Sequence, residues 1–445
     1  MTGFAAIILA AGKGTRMKSA LPKVLHEIAA RPMLGHAMAV ADEAGAAEVL
    51  LVTAPDQDAV RAYADGSNNE AIATTHCIQE QQLGTGDAVR AAFGATDKHA
   101  RFVVMFGDTP LMRPEVLAAL ANHDADVTVL AFEPDDAAAY GRVVLDGETP
   151  TAIVEYKDAD AATRAVTLCN GGAMGLSRDA LAKYLPQLSN DNAQGEFYLP
   201  DMVTLAHQDG ATTALVMANP EDTMGVDSRA GQAKAEALMQ ARLRRKLLEA
   251  GVGMQDPDSV FLSFDTEIAE DVTLEPHVKI NGGVVIGKGT VIKAFTHLEG
   301  VSIGQHAQIG PYARLRPGTR VGDAAKIGNF VETKKADIGK GAKVSHLSYI
   351  GDAELGMDVN IGAGTITCNY DGYNKHLTKI GDGAFIGSNS SLIAPVTIGK
   401  GAYLGSSSAV SKDVPDDALV VTRAPEREIK GWGRKFRARN EKKET

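Results

Sequence analysis

Over much of the second half of this 445-residue chain, an aliphatic residue followed by glycine returns on a six-residue clock. Ile303-Gly304, Ile309-Gly310, Val321-Gly322, Ile327-Gly328, Ile380-Gly381, Ile386-Gly387, Ile398-Gly399 and Leu404-Gly405 keep the beat. Leu315, Val344, Leu392 and Val410 keep it without the glycine. A period of six is neither the 3.6 of a helix nor the 2 of an ordinary strand. It is the period of a parallel β-helix in which three hexapeptides make one triangular turn. A left-handed stack of such turns is expected from about Val272 to Val410. Its longest interruption is a gap of nineteen residues between Ile361 and Ile380. Chain must loop out there, and loops on rigid scaffolds often carry function.

The first half is organised differently. Residues 4–10, 48–53, 102–106 and 127–132 read as apolar strands, and residues 34–44 and 114–123 as helices, the second opened by Pro114. Such alternation predicts an α/β fold of the Rossmann-like kind, a mostly parallel sheet covered by helices. Ligands are then expected beyond the carboxyl ends of the strands. Residues 228–251 are rich in Ala, Leu, Lys, Arg and Glu, with Ser228 as a candidate N-cap and Gly251 at the far end. The expected layout is an α/β domain at 1–227, a linker helix at 228–251, a β-helix at 252–422 and a basic tail at 423–445.

Composition excludes several classes. A net charge of −11 gives no support for nucleic-acid binding. No apolar run reaches the roughly 20 residues of a membrane span, so no membrane insertion is expected. Cys77, Cys169 and Cys368 are dispersed, which argues against disulfides or a zinc site and for a reducing cytoplasm. No basic leader opens the chain. The tail reverses the overall charge, with nine Lys/Arg against four Asp/Glu from Arg423 onward.

Residues Ile7-Ile8-Leu9-Ala10-Ala11-Gly12-Lys13-Gly14-Thr15-Arg16 run from a strand into a glycine-rich turn. Backbone N–H groups in such a turn cradle phosphates, and Lys13, Arg16 and Lys23 add positive charge. The spacing fits neither the P-loop nor the dinucleotide fingerprint. Gln82-Leu83-Gly84-Thr85-Gly86 opens a helix after a strand, and Asp108 follows residues 102–106, where a metal-binding carboxylate belongs.

This set resembles the sugar-nucleotidyltransferase superfamily. Tyr140-Gly141-Arg142, Val154-Glu155-Tyr156-Lys157, Asn170-Gly171-Gly172, residues 192–196 and Gly225-Val226-Asp227 extend the likeness. With the hexads, the chain is similar to the bacterial family of bifunctional N-acetylglucosamine-1-phosphate uridylyltransferase / glucosamine-1-phosphate acetyltransferase enzymes. That resemblance implies a uridine nucleotide (UTP, then UDP-N-acetylglucosamine) held by Leu9, Ala10, Ala11, Gly12, Gln79, Gly84, Thr85, Phe106 and Gly107. It implies Arg16 and Lys23 as catalytic cations on the phosphates, and Gly141, Glu155 and Asn170 on N-acetylglucosamine 1-phosphate. Asp108 and Asp227 are the implied ligands of Mg2+. The family usually has Asn where this chain has Asp227, and commonly Tyr where it has Phe106. A carboxylate still ligates a hard cation through oxygen.

For the β-helix, the residues that stand out are Arg316, Lys334, His346, Tyr349 and the looped segment with Asn369-Tyr370. Hexad spacing suggests Lys334 and His346 on adjacent turns. The resemblance implies His346 as general base for acetyl transfer, oriented by Glu332. Arg316, Lys334, Tyr349 and Asn360 are implied to bind glucosamine 1-phosphate. Ala363, Asn369, Tyr370, Ser388, Ser406 and Arg423 are implied to line the site of acetyl-CoA, the co-substrate, and the family assembles as a homotrimer. Two other readings use the same folds: a one-site sugar nucleotidyltransferase with a regulatory β-helix, and a non-catalytic exchange-factor subunit. The cluster around His346 argues against the first. Intact Lys23, Asp108 and the glycine-rich loop argue against the second.

Overall fold

The computed structural model describes residues 3–66, 72–96, 98–422 and 425–441. The chain divides into two compact units, Met1–Leu243 and Arg244–Thr445. The boundary falls inside one helix, Arg229–Glu249. Ser228 caps that helix, its Oγ accepting from Gly231 N at 3.2 Å.

In the first unit, seven strands lie in the order Thr213–Met217, Val127–Phe132, Cys169–Ser177, Arg101–Phe106, Ala5–Leu9, Glu48–Thr53 and Thr74–Ile78. Cys169–Ser177 runs antiparallel to both its neighbours, and the other adjacent pairs are parallel. A hairpin of Arg142–Asp146 and Thr149–Val154 joins the sheet through Cys169. Ala5–Leu9 is buried along its whole length, as a strand covered on both faces must be. Alternate residues feed opposite layers. Ile7, Leu50, Val104 and Val129 share one core, while Ile8, Leu51, Val103 and Met105 share the other. Pro114 takes the first turn of the helix Pro114–Asn122, where its missing N–H costs nothing.

The second unit carries three parallel ladders of two- to seven-residue strands. The clock residues are ladder partners. Ile292, Ile309, Ile327, Val344, Ile361, Ile386 and Leu404 pair in succession, and each is at most 3% exposed. Most partners are 17 or 18 residues apart, as with Ile327 and Val344 or Ile386 and Leu404, but Ile361 and Ile386 are separated by 25. The longer coil absorbs the interruption without breaking register. Glycine follows the aliphatic beat because coils stack closely there. A Cβ on Gly322 would stand 2.7 Å from Lys340 N and 2.9 Å from Gly339 C. At one edge the turning residue takes a left-handed φ even when it is bulky: Phe295, Tyr312, Phe330 and Leu347 have φ of 59°, 55°, 55° and 50°. The three aromatic rings stack at 4.8 and 5.3 Å.

Candidate active sites

Two adjoining cavities open beyond the carboxyl ends of the central strands in the first unit. One, of about 270 Å3, is lined by Leu9 to Gly12, Lys23, Gln79, Gln82, Gly84, Thr85, Phe106, Asp108 and Glu196, among others. The other, of about 210 Å3, is lined by Glu155, Asn170, Gln194 and Tyr198. Thr85, Phe106 and Glu196 line both.

The first cavity is braced from several strands. Gly107 N donates to Leu9 O at 3.0 Å, and Ala10 N to Val52 O at 2.8 Å. Gln82 reaches Ala11 O at 2.6 Å. Gln79 donates to Gly84 O at 3.1 Å and to Asp87 at 2.8 Å, closing the second glycine turn. Gly84 has φ +107°, and a Cβ there would stand 2.7 Å from Phe197 O, so only glycine fits. Lys23 and Asp108 form an ion pair with each side chain about one-sixth exposed. Arg16 and Asp227 form another at 2.6 Å. Val226 N donates to Asp108 O at 2.9 Å, so the segments bearing the two carboxylates are joined through their backbones.

The second cavity has a different character. Glu155 is pushed above the ordinary carboxylate range by burial, then by Asp158 and Asp201. Asn170 N donates to Gly141 O at 2.9 Å. A Cβ on Gly141 would stand 3.1 Å from Glu155 Oε1, which keeps this position small. Arg142 is buried and bonds the carbonyls of Ala137, Ala138 and Tyr140, fixing the turn that presents Gly141. Phe106 lies against Gly172, where a Cβ would meet its ring at 2.8 Å. Arg16, Gly107, Gly141 and Asp227 are not among the residues that line either cavity.

In the second unit the site gathers at a turn between two faces. His346 ends the strand Lys343–His346 and Tyr349 begins the next. Directly paired with His346 on the neighbouring coil is Asn329, and His346 Nδ1 lies 2.8 Å from Asn329 Oδ1. Across the turn, Tyr349 pairs with Glu332, and Glu332 with Arg314. Two expectations are corrected here. Glu332 does not bond the imidazole; it accepts from Arg316 at 2.8 Å. Lys334 is not stacked on His346; its ladder partner is Gly351, because the coil repeats at 17 residues and not 12. Lys334 instead faces Lys375, and that cation, then Arg316 and Lys335, hold its ammonium below the usual lysine range. Lys334, Lys375 and Arg316 thus gather positive charge at one place, with Arg316 also paired to Glu332.

A line of residues runs from His346 along one edge of the stack. Gly364 N donates to His346 O at 3.2 Å, Asn389 N to Ala363 O at 2.8 Å, and Ser407 N to Ser388 O at 2.7 Å. His346, Ala363, Ser388 and Ser406 thus mark successive coils. At about 4.8 Å per coil, Ser406 lies roughly 14 Å from His346. Asn369 is buried and donates to Asp352. Beyond it the long coil folds on itself, with Asp371 accepting from Tyr373 N, Asn374 N and His376 at 2.7–2.8 Å. These bonds hold the Asp371 carboxyl far below its ordinary range. Tyr370 and Tyr373 are left exposed. Asn360 is not gathered with the rest of the cluster; it pairs with Lys343 and Phe385 on the face leading to His346. Arg423 lies outside the described residues.

Comparison with known proteins agrees with both halves. The model of the MobA-like NTP transferase domain matches residues 6–250. The model of the bacterial transferase hexapeptide (six repeats) matches residues 265–300, 300–335 and 377–412, so the stack is a left-handed hexapeptide β-helix. The "Bifunctional protein GlmU" of Parvibaculum lavamentivorans is 56% identical over 98% of this chain and 97% of its own. Those of Rhizorhabdus wittichii and Maricaulis maris are 54% and 50% identical, over 98% and 97% of this chain and 96% of theirs. The chain belongs to the bifunctional GlmU family. Within this GlmU-family chain, sequence reasoning passed over Glu196, Gln194 and Tyr198 as cavity walls, and Lys375 and Asn329 beside the second site. Glu196 and Gln194 were flagged only by the string at residues 192–196. Nothing marked Lys375, a single lysine in a loop. Among the described residues no helix is long and apolar enough to cross a membrane.

Proposed function

We propose that this chain makes UDP-N-acetylglucosamine, a precursor of cell-wall polymers, by two transfers at two separate sites. The observation that carries this is the presence of both constellations on one chain: the paired cavities with their cations and carboxylates, and the His346 turn with its three-cation cluster.

At the β-helix, the 2-amino group of glucosamine 1-phosphate attacks the acetyl thioester of acetyl-CoA. The new C–N bond forms as the C–S bond breaks, and coenzyme A leaves as the thiol. With Asn329 Oδ1 accepting, His346 Nδ1 carries the hydrogen and Nε2 presents a lone pair to take the proton of the amine. Arg316, Lys334 and Lys375 bind the sugar phosphate, and Tyr349 the sugar. The extended donor lies along Ala363, Ser388 and Ser406, with Asn369 and Tyr370 at the reacting end. Asn360 stands apart from this cluster and His346 is exposed, so a second copy of the chain in a homotrimer closes the site, bringing Asn360 to it.

At the N-terminal site, a phosphate oxygen of N-acetylglucosamine 1-phosphate attacks the α-phosphorus of UTP. The new P–O bond forms as the α–β bridge breaks and pyrophosphate leaves. Lys23 and Arg16 screen the repulsion between two anions and the charge on the leaving group. Leu9 to Gly12, Gln79, Gly84, Thr85 and Gly107 hold the nucleotide, while Gly141, Glu155 and Asn170 hold the sugar. Asp108 and Asp227 fit Mg2+. They are hard oxygen donors on segments tied together at Val226, and among the described residues no group of three or more His, Cys, Asp or Glu competes for a metal. Mg2+ characteristically takes one or two carboxylates and completes its shell with phosphates and water. Bound there, it would supply positive charge to the reacting phosphates. A cytoplasmic location belongs to the same reading.

The test is incubation with glucosamine 1-phosphate, acetyl-CoA, UTP and Mg2+. Release of both thiol and pyrophosphate is expected. His346→Ala should abolish the thiol signal and leave pyrophosphate formation from N-acetylglucosamine 1-phosphate intact. Loss of both activities in a folded variant would refute the two-site assignment.

A further inference from the structure

An ion cluster around the buried Asp222 carboxylate has no part in the chemistry above. Asp222 is 1% exposed. Arg113 grips it with Nε at 2.9 and 3.0 Å and Nη2 at 2.7 Å. Arg242, on the helix Arg229–Glu249, approaches it at 3.4 Å. The same Arg242 donates to Leu111 O at 3.0 Å.

The placement along the chain is what matters. Arg113 follows Asp108 by five residues, and Asp222 precedes Asp227 by five. Each of the two segments therefore has a carboxylate facing the reaction at one end and one half of the buried pair at the other. The segments meet at two points: the Arg113–Asp222 fork, and the bond from Val226 N to Asp108 O at 2.9 Å. Arg242 touches both segments and fixes the clamp to a long helix. A cluster retained only for stability is readily replaced by apolar side chains. A two-pronged fork between planar groups adds what apolar packing lacks, a fixed relative orientation.

We infer that Asp222 is a positioning residue for the divalent cation: with Arg113 and Arg242 it sets the distance between the Asp108 and Asp227 carboxylates. The inference rests on reading those two carboxylates as the metal ligands. Support that orients metal ligands is commonly worth roughly 10- to 100-fold in affinity.

The probe is Mn2+, titrated into the full-length chain and followed by the electron paramagnetic resonance of the free ion. Asp222→Asn keeps the shape and removes the charge, and is expected to raise the Mn2+ Kd by about 10- to 100-fold. Arg113→Lys keeps the charge and loses the fork. Its side chain is 36% exposed against 1% for Asp222, and the Kd should move in the same direction. Pyrophosphate formation in either variant should need more Mg2+ and recover at high Mg2+. If Asp222→Asn does not fold, Arg113→Lys alone carries the test. Unchanged Mn2+ affinity in the folded variants overturns the inference. Unchanged affinity in Asp108→Ala overturns instead the reading of Asp108 as a ligand.

Discussion

Asp201 sits at the start of the helix Asp201–Gln208, next to Pro200 in the wall of the second cavity, and its carboxyl is raised from 3.8 to about 6 by burial and by the neighbouring Asp158. The folded protein therefore holds a proton there that the unfolded chain has released. Between pH 4 and 6 the native state binds more protons, so this group's contribution to stability is fully present below pH 4 and is lost as pH rises through 6. At about 1.4 kcal/mol per tenfold change in proton affinity, the ceiling is ~3 kcal/mol. The carboxyl is only part-buried, and solvent screening reduces this to ~1–2 kcal/mol. Asp201→Asn removes the titration and keeps the shape. The variant should match the parent near pH 3.5 and exceed it at pH 7.5. For a unit of this size the gain corresponds to roughly 2–8 °C in Tm. Thermal unfolding of both proteins from pH 3.5 to 8 measures the gap. A gap that does not vary with pH, or a variant that melts lower at pH 7.5, refutes the reasoning.

Other predictions concern the two sites. Lys375→Ala should raise KM for glucosamine 1-phosphate by about 10- to 100-fold, from a lost charged hydrogen bond of ~1.5–3 kcal/mol, without touching pyrophosphate formation. Asn329→Ala should lower the kcat of thiol release while keeping it above that of His346→Ala, because it frees the imidazole without removing it. A general base contributes about 10²- to 10⁴-fold, and the loss should fall short of that span. Gly172→Ala puts a methyl against Phe106 at a φ of +85°. It should destabilise by ~1–3 kcal/mol and raise KM for N-acetylglucosamine 1-phosphate, read by melting and by pyrophosphate release.

Strand positions in the first unit were legible because apolar runs such as Glu48–Thr53 and Val127–Phe132 are bounded by polar chain. The clock residues from Ile309 to Leu404 were legible as the β-helix interior because only one period fits them. What escaped was pitch. Counting twelve residues back from His346 reached Lys334, but the true repeat of 17 reaches Asn329. The partner of Glu332 escaped for a related reason, since Arg316 comes from the neighbouring coil, two residues beyond the ladder partner Arg314. The grip of Arg113 on Asp222 joins residues 109 apart, and no local pattern announces such a bond.

The coil of 25 residues carries a geometric consequence. Because Ile361 and Ile386 still pair, the stack on either side remains a graduated rule with ticks about 4.8 Å apart. On the proposed reading the reacting end is marked at His346, and Ala363, Ser388 and Ser406 are its graduations. A donor is measured by how many ticks it spans, not by how it folds. Excising one complete 18-residue coil beyond Ser388 would leave the rule straight and one tick short. A rule of this kind reads molecular length, and the oversized coil bulges between its Ala363 and Ser388 graduations.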